Sequence, residues 1–368
     1  MTENAFRYTG QVVYVFAFDL AYEFTGLPQS LLGQPLRQFE ISTSKRMPRQ
    51  MFFFRPQMVR LPGQSRQGPR GPVEVERTVK LFPVGAASIT FRVPFGVNHF
   101  EQLVDYHDLA LDGQPLHHEA RELAEQLRQE LIPYSIKPVP KLAEEEAYTV
   151  FCVNAPLPGQ NLSSAEAWLQ QHHRSVSAVL TQESDTSHLS TQEAQESSAM
   201  YLSYYEQDLV VVDWDAALVV DLPHNFEEVL HVMELANVQL AELEAYDHIL
   251  DDSLQDAYRD LKRRPLRPRN VLDQLREIRI DLARLSDELS NITKFFGDWH
   301  LARVYQHLSS RFHLADWHRT IDDKLDTLDE LYQLLKSDRT NRLMMLLEVT
   351  IVLLFVIDLV ILIAQLRK

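Results

Sequence analysis

LMMLLEVTIVLLFVIDLVILIA, residues 343–364, decides the architecture: 22 residues in which only Glu348 and Asp358 carry charge. At ~1.5 Å rise per residue the stretch reaches about 33 Å, enough for a hydrocarbon core of about 30 Å. Buried core helices usually hold shorter apolar runs, so the reading is a transmembrane helix. Gln365–Lys368 follow it, and a C-terminal anchor is expected with the preceding bulk on one side of the membrane. Lys336, Arg339 and Arg342 lie before the stretch and Arg367 and Lys368 after it, a slight positive-inside bias. Residues 1–24 hold no cationic signal-peptide start and no Arg-rich transit pattern. The N-terminal bulk is therefore expected in the cytoplasm, on the inner membrane of a bacterium or an organellar inner membrane in a eukaryote.

The bulk is globular in composition, with 45% apolar and 24% charged residues among 368. Fifty-two acidic residues against 36 basic ones leave a net charge of −16, which opposes nucleic-acid coating along the whole chain. One cysteine, Cys152, excludes an internal disulfide framework and a cysteine-rich zinc site.

Working back from the anchor, the fold class is α+β: a mixed sheet-and-helix body, a long antiparallel helical stalk and one transmembrane helix. Leu314, Trp317, Ile321, Leu325, Leu328, Tyr332 and Leu335 form a helical stripe running almost directly into the anchor. Before it, Leu275, Ile278, Leu282, Leu285, Leu289 and Ile292 alternate three- and four-residue steps, a coiled-coil seam. Pro265 and Pro268 separate that helix from one expected between Asn225, in a capping box with Glu228, and about Arg263. DLVVVDWDAALVVDL (208–222) reads as a hairpin turning near Trp214. The expected divisions are an α+β domain over 1–160, a helix and polar linker over 161–207, hairpin and long helices over 208–342, and the span over 343–364.

Within the first division, GQVVYVFAFDL (10–20), QMFFFRPQMV (50–59) and AYTVFCV (147–153) read as strands, and 79–93 as two strands around Val84-Gly85. Helices are expected over His99–Leu109 and His117–Leu131. The glycine- and proline-rich LPGQSRQGPRGPVE (61–74) reads as an exposed loop, and TQESDTSHLSTQEAQESSA (181–199) as a disordered linker or long loop.

Two basic segments stand out. One runs from Lys45 to Lys80 and includes Arg60, Arg66 and Arg70; the other comprises Arg259, Lys262, Arg263, Arg264, Arg267 and Arg269. Arginine forks suit phosphate of RNA or lipid, against the plainer reading of solvated loops balancing an acidic protein. Glu348 and Asp358 would each cost about 2.5–3.5 kcal/mol in the bilayer; Glu348 suits the interface, Asp358 burial against a partner helix. Glu228-Val-Leu-His231 has metal-ligand spacing, but no second such motif completes a bundle site. Cys152 lies in an apolar strand, the environment of an inert thiol. No nucleophile elbow, phosphate loop or dinucleotide fingerprint occurs in context. No enzyme, cofactor, metal or small-molecule substrate is expected.

Phe295-Phe296, Tyr305, Leu308, Leu314, Trp317, IDDKLDTLDELYQLL (321–335), Asn341-Arg342, Glu348 and Asp358 together resemble the "required for meiotic nuclear division" family, which includes the yeast Sad1-interacting factors and many bacterial proteins. Leu346-Leu347 and Val349 depart from its pattern, where an arginine, a leucine and a tryptophan are usual. The likeness is specific over the last 70 residues and loose over the first 200. It implies a membrane-anchored, self-associating protein without known enzymatic activity, with mitochondrial members holding ribosomes near the inner membrane. The expected role is thus a tail-anchored homo-oligomeric scaffold that tethers a soluble partner, the ribosome or its RNA first among them. The alternative is an oligomeric ion-transport or channel accessory that uses Glu348 and Asp358.

Overall fold

The computed structural model describes residues 6–39, 56–158, 164–185, 189–263, 279–280 and 299–366. The chain forms two compact units, one of Met1–Ala245 with Glu288–Asp316, the other of Tyr246–Asp287 with Trp317–Lys368. The class is mixed α and β: a large N-terminal sheet, then C-terminal helices.

The first unit is built on a nine-stranded sheet: β1 (Tyr8–Asp19), β2 (Arg37–Gln38), β3 (Gln57–Gly68), β4 (Gly71–Leu81), β5 (Ala86–Val97), β6 (Glu146–Asn154), β7 (Tyr201–Leu202), β8 (Leu209–Val212) and β9 (Ala216–Asp221), in the order β7-β8-β9-β6-β1-β5-β4-β3-β2. All neighbours are antiparallel except β6 and β9, which pair in parallel from Thr149 opposite Ala216 to Asn154 opposite Asp221. The expected 208–222 hairpin is present as β8 and β9, and that parallel pairing makes it part of the body's own sheet.

Strand alternation sends side chains to two buried faces. Tyr14, Phe16 and Phe18 of β1 join Ile89, Phe91 and Val93 of β5 in one core, with α1 (Leu116–Leu131) and α2 (Ala165–Leu180) supplying Leu127, Trp168 and Leu169. Val13, Val15 and Ala17 occupy the opposite register and are buried as well. On that second face lie residues of α4 (Phe226–Arg263) and α5 (Trp299–Arg311), while α3 (Thr191–Ser197) packs beside α2.

Three local expectations are corrected. Residues 61–74 form the β3–β4 hairpin. Pro62 falls at a register shift between Leu61 and Gln64, on the length of β3 that runs past its pairing with β2 at Gln57 and Met58, a position that tolerates the missing N–H, and Gly71 at φ 119° closes the turn. The 181–199 stretch contains α3, whose N-cap Ser190 accepts from Glu193 N at 3.0 Å. Its few apolar atoms suffice because Ala194 and Ser197 are small enough to bury closely, with Ser177 Oγ donating to Ala194 O at 2.6 Å. The helix expected over 99–109 is a 3-10 turn, Phe100–Tyr106, capped by His99 and Gln102. At the end of β9, Asn225 donates its side-chain amide to Asp221 Oδ1 at 2.8 Å.

In the second unit, Ile321, Leu325, Leu328 and Tyr332 of α6 (Leu314–Leu366) are buried, as are Leu250 and Ala257 of α4. Lys324 bridges Asp247 and Asp251, each at 2.6 Å, and Arg279 reaches Asp326 at 2.6 Å and Asp329 at 2.9 Å. α6 is one uninterrupted helix of 53 residues that carries the buried stripe into the apolar segment. The seam positions Leu275, Ile278, Leu282, Leu285, Leu289 and Ile292 lie outside the described residues.

Candidate functional site

The C-terminal part of α6 is the one described helix long and apolar enough to cross a membrane: Thr340–Ile357 has a mean hydropathy of 1.9 and none of it is buried. From Leu343 to Leu359 its large apolar side chains are 46–75% exposed. A run of that size uncovered by the chain's own residues marks an interaction surface. Glu348 is exposed within it; the side chain of Asp358 lies outside the description.

In the first unit, a line of charge lies between α4 and the sheet, buried at Lys80 and Glu234 and partly exposed at Arg92 and Glu227. Helical spacing sets Glu227, His231 and Glu234 on one face of α4. Strand alternation sets Lys80 of β4 and Ser88 and Arg92 of β5 on the facing side, with Lys80 directly opposite Ser88. Lys80 Nζ donates to Glu234 Oε2, with side chains 6% and 2% exposed. The Phe39 ring covers the ammonium at 4.0 Å. Arg92 forks onto both oxygens of Glu227, NH2 to Oε2 at 3.0 Å. Asn237 donates to Glu146 O at 2.9 Å and Tyr305 of α5 to Gln239 at 2.6 Å.

Burial, seconded by the neighbouring Lys80 charge, lowers the His231 pKa to about 3, so its ring stays neutral. At the other end of the line, burial and then the hydrogen bond and charge of Glu244 raise Glu146 to about 8. Lys80 and Glu234, and Arg92 and Glu227, neutralise one another in pairs, and replacing both members of a buried pair by apolar groups is often close to neutral for stability. His231 faces Glu234 at 4.0 Å and Phe39 at 5.0 Å between ring centroids. Among the described residues no three His, Cys, Asp or Glu side chains converge to hold a metal ion. Cys152 is fully buried, which pushes its thiol far above the usual range, and Asp213 is paired with Arg311 at 3.2 Å. A pocket of about 460 Å³ is lined by Phe24, Leu27, Leu36, Leu81 and Pro83 with Thr25 and Gln57, and no ionisable side chain lines it among the described residues.

The basic segments are only partly free. Arg66 contacts Asp112 at 2.5 Å and Glu119 at 2.8 Å, Arg77 shares Glu119 at 2.9 Å, and Arg70 reaches Asp105 at 3.0 Å. Arg60 is exposed. Arg259 pairs with Asp256 and Lys262 is exposed at the end of α4; the side chain of Arg263 and all of Arg264, Arg267 and Arg269 lie outside the description. The sequence reading missed the paired line Lys80, Arg92, Glu227 and Glu234. Its available signal was polar alternation in Lys80 and in Ser88, Thr90 and Arg92 matched by charge along α4, a pattern identical to that of solvent-facing surfaces.

Comparison with known proteins covers mainly the first unit. Residues 9–227, from β1 to the first turn of α4, match the family described as the N-terminal domain of uncharacterized protein MJ0711. That protein, from Methanocaldococcus jannaschii, is 23% identical to this chain over 247 residues, 66% of this chain and 74% of the relative. No solved structure matches the chain. The matched stretch holds all nine strands of the sheet together with Lys80, Arg92 and Glu227, and by it this chain belongs to the MJ0711 N-terminal-domain family.

Proposed function

We propose that the chain is a membrane-anchored, self-associating scaffold, with α6 as the anchor and the sheet-built unit as the part that meets a soluble partner. The exposed apolar surface of α6 from Leu343 to Leu359 carries this reading. Sixteen Leu, Ile, Val and Phe residues between positions 343 and 364 favour insertion by about 5–10 kcal/mol, at about 0.3–0.6 each. Two acids, each about a quarter of the way in from one end, oppose it by at most about 5–7 kcal/mol, the cost at the centre of a span. Insertion is therefore marginal while both acids stand alone and charged, and comfortable when they reach the interface or a partner helix.

The likeness of Phe295–Asp358 to the meiotic-nuclear-division family supports the scaffold reading, and with it a stalk through the 275–292 seam and the translation machinery as partner. The pairing of Arg66 and Arg70 inside the chain leaves Arg60, exposed on the sheet-built unit, as a contact such a partner would use. A second reading, an ion-transport accessory, draws on the exposed carboxylate of Glu348. The test is alkaline carbonate extraction of membranes from expressing cells. Full-length protein stays in the pellet and a chain cut after Leu335 leaves it; a full-length chain released by carbonate refutes the anchor.

A further inference from the structure

We propose that the C-terminal end of α4, through Tyr258, Arg259 and Lys262, lies at the headgroup level of the membrane that α6 enters and binds anionic lipid there. The inference rests on the anchor reading of α6 and adds a contact and a lipid class to it.

Two ties set the sense of α4 against α6. At the first, Asn237 donates to Glu146 O at 2.9 Å, and the ring of Phe312, just before α6, meets Tyr148 of the same strand at 5.1 Å between centroids. At the second, Lys324 reaches Asp247 and Asp251, each at 2.6 Å. From the first tie to the second, residue numbers rise by ten to fourteen on α4 and by twelve into α6, so the two helices run parallel. Carried on at ~1.5 Å per residue, the second tie sets Lys262 level with positions 335–339, about 6–12 Å before the apolar run that starts at Leu343. A headgroup layer is about 5–8 Å deep, and the stem of a lysine or arginine spans the remainder.

Charge changes sign at that level on both helices. From Tyr246 to Tyr258, α4 carries Asp247, Asp251, Asp252 and Asp256 and no lysine or arginine; Arg259, Lys262 and Arg263 then stand against Asp260 alone. In α6, five acids outweigh Arg319 and Lys324 between Trp317 and Tyr332, whereas Lys336, Arg339 and Arg342 outweigh Asp338 between Gln333 and Leu343. Steps of three and four residues set Tyr258, Arg259 and Lys262 on one face of α4, turned away from buried Ala257. Tyr258 is 52% exposed, Arg259 pairs with Asp256 and is itself 62% exposed, and Lys262 is exposed. Such a face is complementary to phosphate at a membrane surface, where a tyrosine turns its ring toward the acyl chains and its hydroxyl toward water. RNA phosphate matches the same charges, but the neighbouring apolar run holds lipid phosphate within their reach.

The test reconstitutes full-length protein in phosphatidylcholine vesicles and compares its association with spin-labelled phosphatidylglycerol and spin-labelled phosphatidylcholine. The parent protein should prefer the anionic probe at ~0.1 M salt and lose most of that preference at ~1 M, as the screening length falls from about 10 to 3 Å. Each base near an anionic surface is worth about fivefold in association, so Arg259→Gln/Lys262→Gln should cut the preference at least about fivefold. Arg259→Lys/Lys262→Arg, which keeps both charges, and Arg60→Gln, on the sheet, should each leave it within about twofold. An undiminished preference in the neutral variant, or an equal loss in either control, overturns the lipid contact. So does loss of RNA co-sedimentation in the neutral variant with its lipid preference intact. Protein that carbonate strips from the vesicles removes the anchor, and the lipid contact with it.

Discussion

Replacing Lys80 with methionine removes one partner of an ion pair whose side chains are 6% and 2% exposed. At an effective dielectric of about 20, charges in contact attract by about 5 kcal/mol, offset by the desolvation of both groups. The single substitution leaves the Glu234 carboxylate buried without its ammonium partner, with neutral His231 4.0 Å away. Such orphaned charges cost about 3–5 kcal/mol. In a unit of this size that is a fall in melting temperature of roughly 6–20 °C. Lys80→Met/Glu234→Leu, which removes both charges, is expected within about 2 kcal/mol of the parent protein. The assay is thermal unfolding of detergent-solubilised full-length protein followed by near-UV circular dichroism, read as a double-mutant cycle. If the single variant is no less stable than the double, the pair is not a buried, mutually dependent one and the seam does not hold α4 in register.

Two further outcomes follow from the same unit. Burial, and then the hydrogen bond and charge of Glu244, raise Glu146 from an ordinary value of 4.5 to about 8. The folded state then holds more protons than the unfolded one between those values, so stability is fully present at acid pH and is lost as pH rises towards 8. Discounting for the partial exposure of Glu146, the loss should be about 1–3 kcal/mol between pH 5.5 and 8.5 and should disappear in Glu146→Gln; an unchanged slope in that variant sinks the assignment. At the β4–β5 turn, a Cβ on Gly85 would lie 1.7 Å from Ala21 O with φ at +95°. Gly85→Ala should cost more than about 3 kcal/mol, whereas Gly33→Ala, at φ +70° with open space around it, should cost about 1 kcal/mol. Comparable melting temperatures for the two variants would contradict that turn geometry.

Element by element, what could be read from the sequence is what depends on nearest neighbours. Alternation in GQVVYVFAFDL sufficed for β1, four-residue spacing for α1, and composition alone for the apolar end of α6, because a strand, a helix face and a lipid-length run are each written within a dozen or two residues. The 61–74 hairpin and α3 escaped because glycine, proline and serine were taken by their average behaviour. An edge strand with a register shift accepts proline, and a tight helix packing prefers small side chains. Partnership was not legible at all. Lys80 and Glu234 are 154 residues apart and Arg66 and Glu119 are 53 apart. An isolated charge in a strand looks the same whether it faces water or a carboxylate. The parallel pairing of β6 with β9, which brings the second hairpin into the first domain's sheet, likewise has no local signature. Local pattern and composition determined the elements and the apolar end of α6; tertiary structure decided which charges are buried, because burial and pairing are properties of two distant segments brought together and of neither segment alone.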